Sequence, residues 1–324
     1  MSVTAIIPNW NRRDMLLDVL SDLRKQSTPL ADTLVIDNGS TDGSAEAAGL
    51  AGARVIRQSG NRGFAHAVNR GIEESSTDWV AILNNDVRVG EDWLARLLAG
   101  AAVPDCSFAA SRLLSAREPQ MLDGAFDLLC RGASPWRAGH MRLDGPEWRR
   151  PRRVSFVPFT AVIVRRSLFE QVGLLDEEFE SYLEDVEFGL RCAMQGYEGI
   201  YVPEAVAYHW GSATLGKWNG ETVRRHARNQ LLLVRKHYPP DWLSRYGWRV
   251  LVAQLLWGCV AARHGAAWAW LKGTAEAVKR LRAAPPTHSH PRLHAILAAS
   301  ENDIRELQQR TGYDLYWRLY FSLT

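Results

Sequence analysis

The sequence predicts an α/β fold in which a mostly parallel central sheet is flanked by helices and followed by a C-terminal helical extension. Three observations lead to this prediction. Short β-rich runs alternate with helical patterns over the first hundred residues, 46% of the 324 residues are hydrophobic, and the chain beyond residue 217 has helical periodicity throughout. Such alternation is typical of parallel strands covered by helices, and a chain of this length can bury a large core.

The first half of the sheet is predicted from apolar runs rich in β-branched residues, each succeeded by a helical pattern. We expect strands over residues 3–7, 33–36, 53–56 and 79–83. We expect helices over residues 13–26, 44–50, 64–75 and 91–101.

Residues 107–155 have an irregular pattern, with Gly, Pro, Trp and Arg crowded between 129 and 153. A long loop of this kind is usually either functional or disordered. Regular patterns return over 154–164, and we interpret residues 154–209 as the second half of the same sheet. This half contains helices over 167–172 and 183–195 and strands over 199–202 and 205–209.

The C-terminal region is predicted to be helical, with breaks at Pro239-Pro240 and Pro285-Pro286. Aromatic and basic residues are mixed in it, as in helices that lie in a membrane interface. The alternative is a helical subdomain that packs on the catalytic domain or on another subunit. Its longest apolar run, 250–262, contains Gln254 and is too short to cross a bilayer. The tryptophans concerned are Trp242, Trp248, Trp257, Trp268 and Trp270.

Charge and cysteine usage narrow the class of protein further. The formal net charge of +3 does not favour a nucleic-acid partner, and the basic cluster over 149–153 is typical of a solvated loop as well as of a polyanion site. The four cysteines show no CxxC pairing, so we expect reduced thiols. The chain begins with a strand pattern rather than a signal peptide. We therefore expect a cytoplasmic protein, with peripheral contact to the inner face of the membrane as an option.

The most informative segment is Asn84-Asn85-Asp86, which lies directly after the apolar run 79–83. In open α/β sheets, ligands bind at the carboxyl ends of the strands. A carboxylate there can hold a divalent cation against the phosphates of a ligand. A polar turn that ends a strand is the competing interpretation.

Two other strand ends carry polar residues. The first strand ends in Pro8-Asn9-Trp10-Asn11, which is neither a dinucleotide-binding GxGxxG motif nor a Walker sequence. The second ends in Asp37-Asn38-Gly39-Ser40. The Asp37 carboxylate can accept the ring N–H of a uracil or thymine, although an Asx-type turn would have the same sequence.

Two predicted helix starts complete the set. Residues 61–71 open a helix with small side chains at Gly63, Ala65 and Ala67, so that its free N–H groups suit a phosphate; tight helix packing is the alternative. At the second helix, Ser181 and Glu184 fit a capping box. The helix dipole there would also keep Asp185 ionised, as a general base must be.

These segments are similar, in order and spacing, to the motifs of a known family over about the first 215 residues. The chain resembles family 2 glycosyltransferases of the GT-A fold, in the branch that contains bacterial rhamnosyltransferase-like enzymes. The matching residues are Ile7 to Asn11, Ile36 to Gly43, Asn61 to Ala65, Leu83 to Asp86, Tyr182 to Glu187, Gly196-Tyr197, Val202 to Ala205 and His209.

The resemblance implies metal-dependent, inverting transfer of a sugar from a nucleotide-diphosphate donor, dTDP-rhamnose or a UDP-sugar, to a hydroxyl of a glycan or lipid-linked acceptor. It implies a catalytic domain over 1–216, with a nucleotide-binding half at 1–103 and an acceptor-binding half at 104–216, followed by the helical region 217–324. Residues 129–153 and 156–160 would form an acceptor wall or lid. Beyond the resemblance, the mixed aromatic and basic residues of the C-terminal helices predict contact with a membrane or formation of a homo-oligomer.

The resemblance also assigns roles to residues. Asp185 would be the catalytic base, and Asp86 with His209 would bind Mg²⁺ or Mn²⁺, although a lone histidine is also often structural. Asn84 stands where the family's DxD motif has its first acid, which leaves Asp86 as the main carboxylate ligand. The acceptor-side residues would be Phe159, Thr160, Glu184 and Trp210. The donor-binding residues would be Pro8, Asn9, Asn11, Asp37, Asn38, Ser40, Asn61, Arg62, Gly63, Ala67, Asn84 and Asn85.

Three other functions are compatible with parts of the pattern. A nucleotidyltransferase would share the sheet and the metal carboxylate, but it should carry a Gly-rich basic signature after the first strand. A non-catalytic nucleotide-sugar or glycan-binding module would not need Asp185. A membrane-surface scaffold would depend on the Trp-rich C-terminal helices alone.

Overall fold

The computed structural model describes residues 1–211, 218–283 and 290–324, and these fall into two units. Unit 1 comprises Met1–Phe126 and Gly139–Thr214, and unit 2 comprises Asp127–Ala138 and Leu215–Thr324. The predicted domain boundary at residues 216 and 217 lies outside the described residues. The segment 127–138, which the sequence placed in the acceptor-binding half, belongs to unit 2.

Twelve strands and eleven α-helices occur in the described residues. The strands are β1 Val3–Asn9, β2 Asp32–Asp37, β3 Arg54–Arg57, β4 Trp79–Leu83, β5 Val87–Val89, β6 Cys106–Ser115, β7 Leu122–Gly124, β8 Asp127–Leu129, β9 Pro135–Arg137, β10 Arg152–Val154, β11 Ala161–Arg165 and β12 Glu198–His209. The helices are α1 Arg13–Arg24, α2 Ser44–Leu50, α3 Phe64–Glu73, α4 Trp93–Gly100, α5 Arg166–Val172, α6 Glu184–Gln195, α7 Gly220–His237, α8 Trp242–Arg263, α9 Ala267–Ala283, α10 Leu293–Thr311 and α11 Leu315–Leu323.

Unit 1 is built on one sheet with the strand order β10-β12-β6-β11-β4-β1-β2-β3, to which β5 and β7 add as partners of β12 and β6. The first four predicted strands pair in parallel, as expected from their helical crossovers. β11 instead pairs antiparallel with both β4 and β6. The sheet is therefore mixed rather than mostly parallel, because the chain from β6 to β11 contains no α-helix that could form a crossover between parallel strands.

The core of unit 1 lies against both faces of this sheet. Every residue of β1 and β4 is buried, which explains why both strands have continuous apolar runs rather than alternating ones. α1 covers one face with Leu16, Val19, Leu20 and Leu23, whose spacing places them on one side of the helix. This packing fixes the carboxyl ends of β1, β2 and β4 beside one another.

Two predictions about the second half of the sheet were wrong. The irregular region 107–155 contains the ten-residue strand β6, in which buried Ser111 accepts a hydrogen bond from Trp93 Nε1 at 2.8 Å and donates one to the carbonyl of Ala161 at 2.7 Å. Because its hydroxyl has hydrogen-bond partners inside the protein, Ser111 interrupts the apolar run of the sequence while the strand stays buried. The two strands expected at 199–202 and 205–209 form one strand, β12, with a register shift around Pro203, which has no N–H to donate.

Unit 2 consists of α7 to α11 and the β8–β9 hairpin. The predicted break at Pro239-Pro240 is confirmed, since α7 ends at His237 and α8 begins at Trp242. The predicted break at Pro285-Pro286 lies outside the described residues. The hairpin joins the helices because the Leu129 amide donates to Ser300 Oγ of α10 at 2.7 Å. In the described part of the chain, no helix has the length and apolarity needed to span a membrane.

Candidate functional site

Polar side chains at three neighbouring strand ends form one hydrogen-bond network. Asn9 ends β1 and is the register partner of Asp37, which ends β2. Asn9 Nδ2 lies 3.2 Å from Asp37 Oδ1 and 2.9 Å from Ser44 Oγ. Asn85, after β4, donates to Asn9 Oδ1 at 2.8 Å. The convergence of these strand ends on one sheet edge, predicted from the sequence, is confirmed.

Asp37 and the residues around it form a tight turn. Asp37 Oδ2 accepts the Ser40 N–H at 3.1 Å, so the Asx-type turn is present, and the aspartate is only 2% exposed. Ser40 Oγ accepts the Asn11 N–H at 2.7 Å, and Asn11 Oδ1 accepts the Thr41 N–H at 2.9 Å. The turn holds the loops after β1 and β2 together, and recognition of a base by Asp37 stays a prediction.

The start of α3 packs against the segment that precedes α6. Gly63 has a φ of +94°, and a Cβ on it would lie 2.6 Å from the carbonyl oxygen of Glu180. The Phe64 N–H donates to Ser181 Oγ at 3.1 Å, and the Ala65 N–H donates to the Glu180 carbonyl at 2.9 Å. The expectation that these amides are free for a phosphate was wrong, because the missing Cβ of Gly63 lets the chain of residue 180 approach them.

The other predicted donor residues occupy different environments. Asn38 Nδ2 donates to the Gly63 carbonyl at 3.2 Å, while buried Asn38 Oδ1 has no partner among the described residues, as expected of an atom that meets a donor on a ligand. Asn61 Oδ1 accepts the Gly63 N–H at 3.0 Å. Arg62 is exposed, with Nη2 3.8 Å from Glu177 Oε2. Pro8 and Ala67 are buried, so both contribute to packing.

Asp86 and His209 come together at the end of β4. β5 starts directly after Asp86 and pairs antiparallel with the last residues of β12, which brings the ring of His209 back to the strand end. His209 Nε2 lies 3.2 Å from Asp86 Oδ1 and 3.4 Å from Asn84 Nδ2. Both Asp86 and His209 are buried. Asp86 and His209 are far apart in the sequence, and the pairing of β5 with β12 brings them together.

Asp123, on β7, contacts the second ring nitrogen of His209. The sequence did not predict a role for this residue. Asp123 Oδ2 lies 2.9 Å from His209 Nδ1. Burial lowers the pKa of His209, but the carboxylates of Asp123 and Asp86 outweigh that effect and raise the pKa to about 10. The only sequence signal was an acid in the irregular segment after β6, at a position with no motif around it.

The donor set fits a divalent cation of the Mg²⁺ or Mn²⁺ type that is only partly coordinated by protein. Two cis ligands at about 2.1 Å from an octahedral ion are about 3 Å apart, close to the 3.2 Å between Asp86 Oδ1 and His209 Nε2. The carboxylate of Asp123 would keep the proton on Nδ1, and a bound cation would displace the proton that the raised pKa of His209 otherwise keeps on Nε2. Within the described ranges, no group of three or more His, Cys, Asp or Glu residues has metal-binding geometry. A cation held by Asp86 and His209 would therefore need further ligands from substrate and water.

Asp185 lies in the first turn of α6, beside the loop that precedes β11. Its Oδ2 accepts the Phe159 N–H at 3.3 Å, and its Oδ1 accepts the Val186 N–H at 2.8 Å. The N-cap residue is Leu183, whose side chain makes no capping bond, and the capping box expected of Ser181 and Glu184 stays a prediction. Tyr182 and Leu183 both have positive φ, a strained backbone that is concentrated at functional sites.

The remaining acceptor-side residues border the same strand end. The Thr160 carbonyl accepts the Asn84 N–H at 2.9 Å, and the Trp210 N–H donates to the Asp86 carbonyl at 3.1 Å. Trp210 is exposed, and an exposed aromatic face next to polar groups suits stacking on a sugar. Glu184 is buried within α6.

Comparison with known proteins gives matches over most of the chain. The model of the family described as glycosyl transferase family 2 matches residues 4–173. An N-acetylglucosaminyl-diphospho-decaprenol L-rhamnosyltransferase of Mycobacterium tuberculosis is 28% identical over 243 residues, which are 66% of this chain and 78% of the relative. A pre-mycofactocin glycosyltransferase of the same organism is 30% identical over 227 residues, which are 67% of this chain and 44% of the relative.

Solved structures match at the level of the fold. A mannosyltransferase from Pyrobaculum calidifontis, in complex with GDP-Man and Mn²⁺, has a TM-score of 0.54 at 18% identity and covers 99% of this chain and 86% of its own. GalNAc-T7, solved with UDP, GalNAc and Mn²⁺, has a TM-score of 0.65 at 15% identity, over 94% of this chain and 57% of its own. At these identities the likeness concerns the fold alone.

Proposed function

Because the chain belongs to glycosyltransferase family 2 and has the GT-A fold, we propose that it transfers rhamnose from dTDP-rhamnose to a hydroxyl of a lipid-linked sugar, with inversion at the anomeric carbon. The name of the mycobacterial rhamnosyltransferase supports this choice of sugar and of a diphospholipid-linked acceptor. UDP-linked sugars are the competing donors. Family membership disfavours the nucleotidyltransferase alternative.

The observation that carries the proposal is the arrangement of Asp86, His209 and Asp123 at the end of β4. Asp86 and His209 are the residues that would hold Mg²⁺ or Mn²⁺, and Asp123 would orient His209. When bound, the cation would neutralise charge that develops on the departing diphosphate. Metal binding would explain why a carboxylate and an imidazole are buried together at this strand end. A polar turn would not need a buried imidazole.

Asp185 would act as the general base. Its carboxylate would take the proton of the acceptor hydroxyl while that oxygen forms a bond to the anomeric carbon. The bond between the anomeric carbon and the diphosphate oxygen breaks at the same time, and its electron pair leaves with dTDP. The Phe159 N–H would hold the Asp185 carboxylate in place for this step. No covalent intermediate with the protein is required, which agrees with an inverting reaction.

The test compares the wild type with Asp185→Asn in transfer from dTDP-rhamnose and from UDP-sugars to a GlcNAc-diphospho-lipid analogue, with Mn²⁺. We expect kcat of Asp185→Asn to fall by about 10² or more, since general base catalysis contributes 10²–10⁴. Stabilisation of the fold by dTDP in a thermal-shift measurement should persist, because the base does not bind the nucleotide. Glu170→Gln is the matched control, because Glu170 is an exposed acid of α5 outside the matching motifs.

Equal turnover by Asp185→Asn and the wild type would remove the base assignment. Stabilisation by dTDP without any turnover by the wild type would instead favour the non-catalytic binding module. Turnover with UDP-sugars but not with dTDP-rhamnose would refute the choice of donor.

A further inference from the structure

Exposed apolar side chains are concentrated in unit 2. Of the sixteen large hydrophobic residues that are exposed in the described part of the chain, ten lie in unit 2, although this unit holds 122 of the 324 residues. Scattered single residues of this kind are normal on a protein surface, whereas a contiguous group marks an interaction site. This distribution indicates an interaction site on the C-terminal helices.

Part of this group forms one continuous strip, the α8 stripe, made of Trp248, Leu251 and Leu255. Their exposed fractions are 60%, 48% and 52%, and their spacing places them on one face of α8 over two turns. α11 extends the strip, because Trp248 Nε1 donates to the carbonyl of Leu323 at 2.7 Å and Leu323 is itself half exposed. The result is an apolar surface formed by two packed helices.

The charge of unit 2 is strongly positive. It contains nineteen Lys and Arg residues against eight Asp and Glu, a formal charge of +11, while unit 1 contains twenty against twenty-eight, a charge of −8. The near-neutral total of +3 hides this separation. A basic half of a chain indicates an anionic partner, and it opposes the association of two copies through this same surface.

A basic cavity of about 340 Å³ lies beside the stripe, lined by Arg131, Arg245, Tyr246, Arg249 and His294. Arg245 and Arg249 are one turn apart on α8 and flank Trp248. Arg245 pairs with Asp241 and Arg131 pairs with Glu301. Arg249 Nη2 donates to a main-chain oxygen of Thr324 at 3.0 Å, and its buried Nε has no hydrogen-bond partner among the described residues. Within the described part of the chain, the cavity is lined by three arginines and by no acidic side chain, so it suits a phosphate group.

We propose that unit 2 binds the surface of an anionic phospholipid bilayer, with the α8 stripe in the interface and Arg245 and Arg249 on lipid phosphates. Helices that combine Trp and Leu on one face with flanking Arg bind bilayers in this way. A nucleic acid would engage the arginines but leave the apolar stripe exposed to water. This inference concerns unit 2 alone and does not depend on the transfer reaction proposed for unit 1.

The experiment is flotation of the full-length protein with vesicles of phosphatidylcholine alone and of phosphatidylcholine mixed with phosphatidylglycerol. We expect binding to the mixed vesicles, weakened by salt, and little binding to the neutral ones. Leu255→Glu should reduce binding by about tenfold or more, because it places a charge in the interface and removes a leucine that the bilayer would bury. Leu50→Glu is the matched control, since Leu50 is 92% exposed in unit 1, and Arg249→Gln should weaken binding to the anionic vesicles only.

Equal binding of wild type and Leu255→Glu, or equal binding to both kinds of vesicle, would overturn the proposal. So would a dimer in sedimentation that Leu255→Glu dissociates, because a second copy would then cover the stripe, or binding of duplex DNA in place of vesicles. Transfer to a water-soluble acceptor should be unchanged in Leu255→Glu. Loss of vesicle binding and failure of the transfer reaction are therefore distinguishable.

Discussion

Replacing Asp123 by asparagine tests the metal arrangement at its least obvious residue. Asp123 does not occupy a metal-ligand position; it acts through the 2.9 Å contact between its Oδ2 and His209 Nδ1. Asparagine keeps the size of the side chain but removes the negative charge that holds the Nδ1 proton and sets the ring orientation. The change therefore isolates the positioning of His209 from the loss of a ligand.

The expected size of the effect can be worked out from this geometry. Of the two proposed protein ligands, Asp86 is untouched, and His209 keeps its nitrogen but loses its fixed orientation. Partners of this kind typically contribute 10- to 100-fold in metal affinity, about 1.4–2.7 kcal/mol. His209→Ala removes the ligand itself and should weaken Mn²⁺ binding further than Asp123→Asn does.

The assay is a titration of Mn²⁺ into protein saturated with dTDP, monitored by the electron paramagnetic resonance signal of free Mn²⁺. Direct binding is measured, so the result does not depend on turnover. Asp105→Asn is the matched control, because Asp105 is exposed and its positive φ suits asparagine equally well. Wild-type Mn²⁺ affinity in a folded Asp123→Asn protein would refute the reasoning, and wild-type affinity in His209→Ala would refute the metal assignment as a whole.

Two further predictions concern folding. Gly63→Ala should lower stability by more than about 1 kcal/mol, because the new Cβ meets the Glu180 carbonyl and the φ of +94° disfavours alanine; an unchanged melting temperature would contradict the close packing of α3 on this segment. For His226 in α7, burial and the charge of Arg137 lower the pKa from 6.5 to about 4. Between pH 6.5 and 4, His226 is protonated in the unfolded chain but stays neutral in the folded chain. The free energy of unfolding should therefore fall as the pH drops toward 4, by at most about 3 kcal/mol. His226→Gln should reduce this loss, and identical pH profiles of unfolding would show that another group causes it.

The parts of the fold that could be predicted are those in which a short segment contains its own signal. β1 and β4 are apolar runs that end in polar residues, and their helical crossovers imply parallel pairing. The strand β6 could not be found in this way, because Ser107, Ser111 and Arg112 break its apolar pattern. Ser111 is satisfied by hydrogen bonds with Trp93 and Ala161, and Arg112 pairs with Asp144, so both polar residues fit among apolar neighbours through residues far along the chain.

The candidate site shows the same division. Asp86 and Asn9 were predicted because each lies at or just beyond the end of a strand, and residues in that position reach the same sheet edge. The amides at the start of α3 were assigned wrongly, since the sequence around Gly63 does not show that residues 180 and 181 occupy them. Asp123 was missed because the strand it lies on is three residues long and has no periodicity to detect.

Local patterns of apolar and polar residues were enough to specify the class of fold and the strand ends at which the polar residues gather, and the resemblance of the motifs to a known family indicated the family. Three features required the folded chain: the mixed sheet, the sharing of His209 by Asp123 and Asp86, and the apolar stripe beside arginines on the C-terminal helices. These features depend on contacts between residues far apart in the chain, and no local pattern specifies which distant side chain will become a neighbour.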